Sequence, residues 1–221
     1  MLNLNGRRKI LKALVLTLLI AGCNSNYSPK PKGYFKIEFP KRSYQKFDNP
    51  EFPYSFEYPV YAQIIRDTTF FEEKPENPFW LNIDFPEFHG KIYISYNMIG
   101  GKTIFKVKRK EGYIDSIGVN TFEGLIKGSY ELTFKHTYKA SSIDDSVFRT
   151  KNGIEGIYFK LSGNTATSNQ FLVTDSVKNF LRGALYFDAT PNEDSLGIVN
   201  EFLQEDMKHL INTFRWRRGN E

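Results

Sequence analysis

The side chains with the widest chemical reach in this sequence are one thiol and three imidazoles: Cys23, His89, His136 and His209. A thiol can act as nucleophile, metal ligand, disulfide partner or acylation site, and an imidazole as general base or metal ligand. The three histidines lie far apart, and none forms a metal-ligand spacing with a carboxylate or a second histidine. The chain has no GxGxxG, GxxxxGK, GxSxG or HExxH, so dinucleotide, phosphate-loop, serine-hydrolase and zincin chemistry lack their local signatures. His209 falls on the polar side of an amphipathic stretch, where a solvated residue is expected. His89 precedes Gly90 at a turn. His136 shares a helical stripe with Leu132; there a hydrogen-bonded structural histidine is preferred over a general base. The densest run of hydroxyl and amide groups is Ser162-Gly163-Asn164-Thr165-Ala166-Thr167-Ser168-Asn169-Gln170. It could offer hydrogen bonds to a glycan or an extended peptide, but a hairpin loop with its flanking strand ends is the preferred reading.

Position decides the role of Cys23, the only cysteine in the chain. It closes Ile20-Ala21-Gly22-Cys23, after Arg7-Arg8-Lys9 and an apolar run from Leu11 to Ile20. A basic region, a short apolar core and small residues at a cleavage point make a secretory signal. Ending on cysteine, it resembles the lipobox of bacterial lipoproteins. That resemblance implies a diacylated thiol carrying chains such as palmitate, with the peptide cut before Cys23. The alternatives are a buried free cysteine or an ordinary signal peptide that happens to contain one. As a helix, Ile10 to Gly22 reaches about 20 Å against a hydrocarbon core of about 30 Å, and Lys12 near its start argues against burial in lipid. The expectation is a protein anchored to a membrane by its lipid rather than one that crosses it.

Residues 1–22 hold Arg7, Arg8, Lys9 and Lys12 and no acid, so their loss takes the formal charge from +5 to +1. The pI near 9.1 is largely a property of the signal, and the case for nucleic-acid binding goes with it. A basic cluster, Arg215-Trp216-Arg217-Arg218, remains at the end and reads as a solvated terminus in preference to a membrane or partner contact. With Cys23 acylated no thiol is left for a disulfide, a zinc-thiolate site or a nucleophile. Stability must come from the core, which 20 Phe and 13 Tyr can supply.

Asn24 to Gly33 reads as a tether, polar and punctuated by Pro29 and Pro31. Alternation then predicts a strand over Phe35–Phe39, stopped by Pro40, and two extended pieces between Phe52 and Ile65. Further strands are expected over Trp80–Phe85 and Lys91–Tyr96, the latter with Ile92, Ile94 and Tyr96 on one face. An acidic–aromatic–proline tripeptide recurs at 38–40, 51–53, 57–59 and 84–86; the spacing is irregular, and proline closing a strand or holding an edge explains it. Thr121 can cap a helix over Phe122–Lys139 with Leu125, Ser129, Leu132 and His136 on one stripe, against a competing strand through Tyr130, Leu132 and Phe134. Strand pattern returns at Gly153–Leu161, Ser168–Thr174 and Asn179–Asp188, with turn chemistry at Gly163-Asn164 and Asp175-Ser176. A long final helix begins near Pro191 to Asp194. Leu196, Val199, Phe202, Leu203, Met207, Leu210, Ile211 and Phe214 share its apolar face. The expected fold class is α+β, a curved antiparallel sheet packed by helices, as a single domain over residues 34–221 behind signal 1–22 and lipidated tether 23–33.

The lipobox joins Tyr34–Pro40, Pro53–Tyr61, Trp80–Pro86, Phe134–Ala140, Gly163–Ser168, Phe180–Phe187 and Glu205–Leu210 in an order that resembles the gliding-motility lipoprotein GldD family of the Bacteroidota. The resemblance covers nearly the whole chain after Cys23. It implies a role in gliding motility and in the type IX secretion system on which gliding adhesins depend. It offers no catalytic residues to carry over; together with the absence of a catalytic constellation, cofactor motif or metal-ligand spacing it points to a non-enzymatic assembly or stabilising component, whose partners are a membrane, through its lipid, and other envelope proteins of the gliding and secretion apparatus. Nucleic acid is not expected as a partner, and no small-molecule substrate is identified. Tyr54–Tyr61 and the closing helix ending in Phe214-Arg215 are also faintly similar, in fold only, to PsbP-type domains. Surface-exported lipoproteins of this phylum tend to carry acids just behind the lipidated cysteine. Asn24 to Lys32 has none, so the domain is expected to face the periplasm from its membrane, the outer one. The rivals are a module binding a ligand or envelope glycan, and a hydrolase of envelope polymers built around His136.

Overall fold

The computed structural model describes residues 37–66 and 77–217. The signal segment, Cys23 and the tether lie outside the described residues. Twelve strands and two α-helices are described: β1 (Tyr44–Phe47), β2 (Tyr54–Pro59), β3 (Gln63–Arg66), β4 (Leu81–Phe85), β5 (Gly90–Met98), β6 (Lys102–Arg109), β7 (Gly112–Val119), α1 (Phe122–Phe134), β8 (Ala140–Arg149), β9 (Glu155–Gly163), β10 (Asn169–Thr174), β11 (Asn179–Phe187), α2 (Glu193–Thr213) and β12 (Arg215–Trp216).

Seven strands form one antiparallel sheet in the order β3-β4-β5-β11-β10-β9-β8. Alternation along each strand divides its side chains between two faces. One face sets Leu81, Ile83, Phe85, Ile92, Ile94, Tyr96, Phe171, Val173, Leu181 and Leu185 into the main core with Tyr54 and Phe56 of β2 and Val199, Leu203, Met207, Leu210 and Ile211 of α2. A fully buried side chain of this kind stabilises by about 1.5–3 kcal/mol, whereas helix propensity spans only about 0.7 kcal/mol per ordinary residue. Packing therefore holds α2 in place. The other face gathers Phe159, Leu161, Leu172 and Phe180 under Leu125, Ile126 and Tyr130 of α1. This is the α+β class expected, an antiparallel sheet with helices packed on it.

Several local expectations shift. Ile37–Phe39 are not strand; Phe39 instead stacks on Phe202 at 4.3 Å, and the first strand among the described residues is β1, which pairs Tyr44 with Pro59 and Phe47 with Phe56. Helix α1 ends at Phe134, five residues early, in a run of turns through Lys139. Its buried positions are Ser129 and Thr133, while Leu132 is exposed. The stripe is rotated because α1 covers a polar as well as an apolar part of the sheet. The cap is as expected: Thr121 Oγ1 accepts from Gly124 N at 3.0 Å. The final basic cluster is not a solvated tail as far as Arg217. Trp216 pairs with Tyr54, and Arg217 donates to Phe52 O (3.2 Å), Asn49 O (3.2 Å) and Asp48 Oδ1.

The hairpins β6–β7 and β8 were not foreseen, because Lys, Gly, Asp and Ser interrupt their apolar positions. The tripeptide prolines behave as strand boundaries: Pro53 precedes β2, Pro59 ends it and Pro86 follows β4. Pro40 borders no strand.

Candidate functional site

The polar run expected at 162–170 links β9 to β10, turning at Gly163 with a φ of 94°. It faces the start of α2, and the two line a groove of about 460 Å³ with Ser162, Thr165, Ser168, Asn200, Glu201 and Gln204 among its walls. Most of the polar groups here serve one another. Asn169 Oδ1 accepts from Tyr158 Oη (2.6 Å) and Gln204 Nε2 (3.0 Å), and Asn169 Nδ2 donates to Asn200 Oδ1 (2.8 Å). Asn164 Oδ1 receives the Glu193 N–H at the head of α2 (2.9 Å), beside the Asn192 cap. Thr165 donates to Thr167 O at 2.9 Å. Burial demands this pairing, since Thr165, Thr167, Asn169 and Gln170 are all buried. The run acts first as the joint between sheet and helix.

On the opposite side of α2, the apolar stripe carries an acid. Asp206 lies between Leu203 and Met207 and is 1% exposed. Its Oδ1 accepts from Tyr44 Oη at 2.9 Å and lies 3.4 Å from Arg42 Nε; its Oδ2 accepts from Tyr61 Oη at 2.5 Å. Burial raises its pKa, while the two phenols and the guanidinium work against that rise. The same burial, with the carboxylate beside them, pushes Tyr44 up to about 12 and raises Tyr61 further. Arg42 also donates to Phe202 O at 3.0 Å and lies 4.3 Å over the Phe202 ring. With both carboxylate oxygens engaged, the group holds residues 39–61 to α2 and is not poised as a base. The sequence signal was available: an acid at i+3 from Leu203 and i−4 from Leu210 sits within the apolar stripe.

The histidines do not converge. His209 is not simply solvated: its ring stacks on Tyr44 at 3.5 Å and its Nε2 lies 2.8 Å from Glu57 Oε2. His89 is exposed at a left-handed turn, φ 47°. His136 lies beyond the end of α1, half-buried, 6.4 Å between ring centroids from Tyr186. Burial and then the Arg182 charge hold its pKa below the usual value. Among the described residues its side chain has no hydrogen-bond partner. No group of three or more acidic, His or Cys residues among those described could hold a metal ion, and no described helix is long and apolar enough to cross a membrane.

No curated protein matches the chain. Among solved structures it is similar to the solution structure of cyanobacterial PsbP (CyanoP) from Synechocystis sp. PCC 6803, with 10% identity and a TM-score of 0.43 over 82% of this chain and 97% of that one; nothing further rests on that likeness. A sequence model of the family described as gliding motility lipoprotein GldD matches residues 24–216. That span begins directly after Cys23 and takes in the joint at 162–170 and the whole Asp206 cluster. The chain belongs to the gliding motility lipoprotein GldD family.

Proposed function

We propose that the protein is held on the periplasmic side of the outer membrane by acyl chains on Cys23, and that it supports gliding and type IX secretion as a non-enzymatic assembly or stabilising component. The observation that carries this reading is the family match over residues 24–216, joined to a lipobox-like sequence that ends at the preceding residue. A non-enzymatic role is supported by what the polar side chains do. The amides of Asn164, Asn169, Asn200 and Gln204 join loop to helix, and Asp206 is committed to Tyr44, Tyr61 and Arg42. The partners are then other envelope proteins of the apparatus, met through the surface of the domain.

Deletion of the gene tests this, scored for colony spreading and for type IX cargo in the medium, with wild-type and Cys23→Ala complementation. Loss of both outputs with rescue by wild type alone is expected. Normal spreading and secretion in the deletion strain would discard the reading.

A further inference from the structure

Strands β6 and β7 form a two-stranded sheet of their own, and among the described strands no other pairs with them. The hairpin is fastened at its root, where Gly100 N donates to Asn120 O at 2.7 Å and Asn120 N to Gly101 O at 2.9 Å. Residues directly opposite one another in an antiparallel ladder point to the same side. The register sets Lys102 against Val119, Ile104 against Ile117 and Lys108 against Tyr113, so these six share one face. Alternation along β7 adds Asp115 to it.

That face is open. Ile104 is 57% exposed, Tyr113 66%, Ile117 76% and Val119 59%. With Ile114 on the other side, this hairpin holds five of the fifteen large hydrophobic residues exposed among those described. Single exposed apolar side chains are ordinary, but a row of them on two paired strands marks a surface that something covers. Cations stand at both ends of the row: Lys102 at the root, and Lys108, Arg109 and Lys110 at the tip, all exposed. The exposed acids beside them are Glu111 and Asp115. These groups leave an excess of two positive charges, against +1 for the whole chain after residue 22.

We propose that this face of the β6–β7 hairpin docks on an anionic phospholipid surface, with Ile104, Ile117 and Val119 set into the boundary between headgroups and acyl chains. A lysine lays its stem along apolar surface and sends its ammonium group out to the lipid phosphates. A tyrosine, with an apolar ring and a polar tip, suits the same depth. Two observations favour lipid over an acidic protein as the occupant. The chain belongs to a lipoprotein family, so a membrane surface is its constant neighbour. Lysine supplies three of the four cations named, and lysine is depleted in protein interfaces but attracted to anionic lipid. Acyl chains keep a domain at a membrane; a face such as this one decides how the domain lies there. The proposal rests on a membrane location and not on acylation of Cys23.

The test uses the protein purified in detergent from its own membrane and returned to vesicles of phosphatidylcholine alone or with phosphatidylglycerol. Ile117→Cys carries a polarity-sensitive nitrobenzoxadiazole label, and Val177→Cys, exposed at the β10–β11 turn, is the comparison. Labelling of the parent protein reports any free Cys23 thiol, so a failure of acylation is seen separately. With phosphatidylglycerol present, a blue shift and quenching by brominated acyl chains are expected at 117 and not at 177, and high salt should reverse both. Adding Lys108→Gln and Arg109→Gln should lower the docked-to-free ratio about twenty-fold, on the scale of one surface cation contact each. A label at 117 that stays in water, or equal quenching at 117 and 177, overturns the proposal. So does equal docking to the two kinds of vesicle, or a double variant that docks as its parent does. A blue shift without quenching means that lipid is not what covers the face; in purified protein the cover is a second copy, and the proposal falls. Should Ile117→Cys not fold, slowed hydrogen exchange of the β6–β7 amides in the parent protein, in anionic vesicles and not in neutral ones, decides.

Discussion

Tyr61 Oη donates to Asp206 Oδ2 at 2.5 Å although 145 residues of chain separate them. Through this bond, and that from Tyr44 at 2.9 Å, the first described strands are tied to the last helix. Residues 39–61 therefore meet the core at α2, where the Asp206 cluster lies beside the ring of Phe202 beneath Arg42.

Replacing Asp206 by Ala strips two phenols and one guanidinium of their acceptor. A loss of about 3 kcal/mol is expected, the scale for breaking a buried ionic group by removing one partner. Tyr61→Phe removes one charge-assisted bond and should cost about 2 kcal/mol. Urea unfolding of the two variants and of the double variant checks this. Costs that simply add would show that the pair does not act as a unit.

Asp175 governs acid behaviour at the β10–β11 turn. Burial resists its ionisation, but N–H groups of Asn179 (2.8 Å), Lys178 (2.8 Å) and Val177 (3.0 Å), with the Asn179 side chain, outweigh it and hold the pKa below 3.8. A lowered folded pKa means that the unfolded chain takes up the proton first. The stabilisation is thus complete above the unfolded value of 3.8 and is lost as pH falls through the folded value. Asp206 has the opposite sign: its pKa is raised, the native state binds the proton more tightly, and stability falls as pH climbs from 3.8 through the raised value. Stability–pH profiles of Asp175→Asn and Asp206→Asn should each lose their own slope, below 3.8 for the first and above it for the second.

Gly183 and Phe171 face one another across β11 and β10. A Cβ on Gly183 would lie 2.2 Å from Phe171 Cε1, a distance that the ring must vacate. Gly183→Ala should cost about 3 kcal/mol, at the upper end of overpacking. Combined with Phe171→Leu it should cost less than the two single changes added together. Strict additivity in thermal unfolding would show that the ring does not hold this glycine.

Cys23 makes the prediction closest to the biology. Cys23→Ala protein should leave the membrane fraction, and metabolic labelling with an alkyne palmitate analogue should mark wild type alone. Proteinase K on intact cells should spare the domain; its digestion there would place the domain outside the cell.

Local pattern was enough for β2, β4, β5, β10, β11 and α2, because alternation and a 3.6-residue stripe are imposed by the core that each element faces. It failed at Phe39, whose alternation with Ile37 looked like a strand, because the partner that holds its ring, Phe202, is a long way along the chain. It failed at Leu132 for a related reason: α1 lies over both Gln170 and Phe159, so its inner face cannot be chosen by hydropathy. Strands β6, β7 and β8 leave Ile104, Ile114, Ile117, Val119 and Val147 exposed, so no core imposes a pattern that could be read there.

Sequence alone was enough for the strand-and-helix class and the family, since both are written in contiguous residues whose order matters more than their neighbours in space. The Asp206 cluster, the loop-to-helix joint and the pairing of Arg182 with Gln170 belong to the folded chain. Their members are polar residues scattered over up to 164 positions, and burial converts polar groups that would be bland in water into groups that must find one another. Desolvation supplies that requirement, and it exists only once the sheet and α2 have closed.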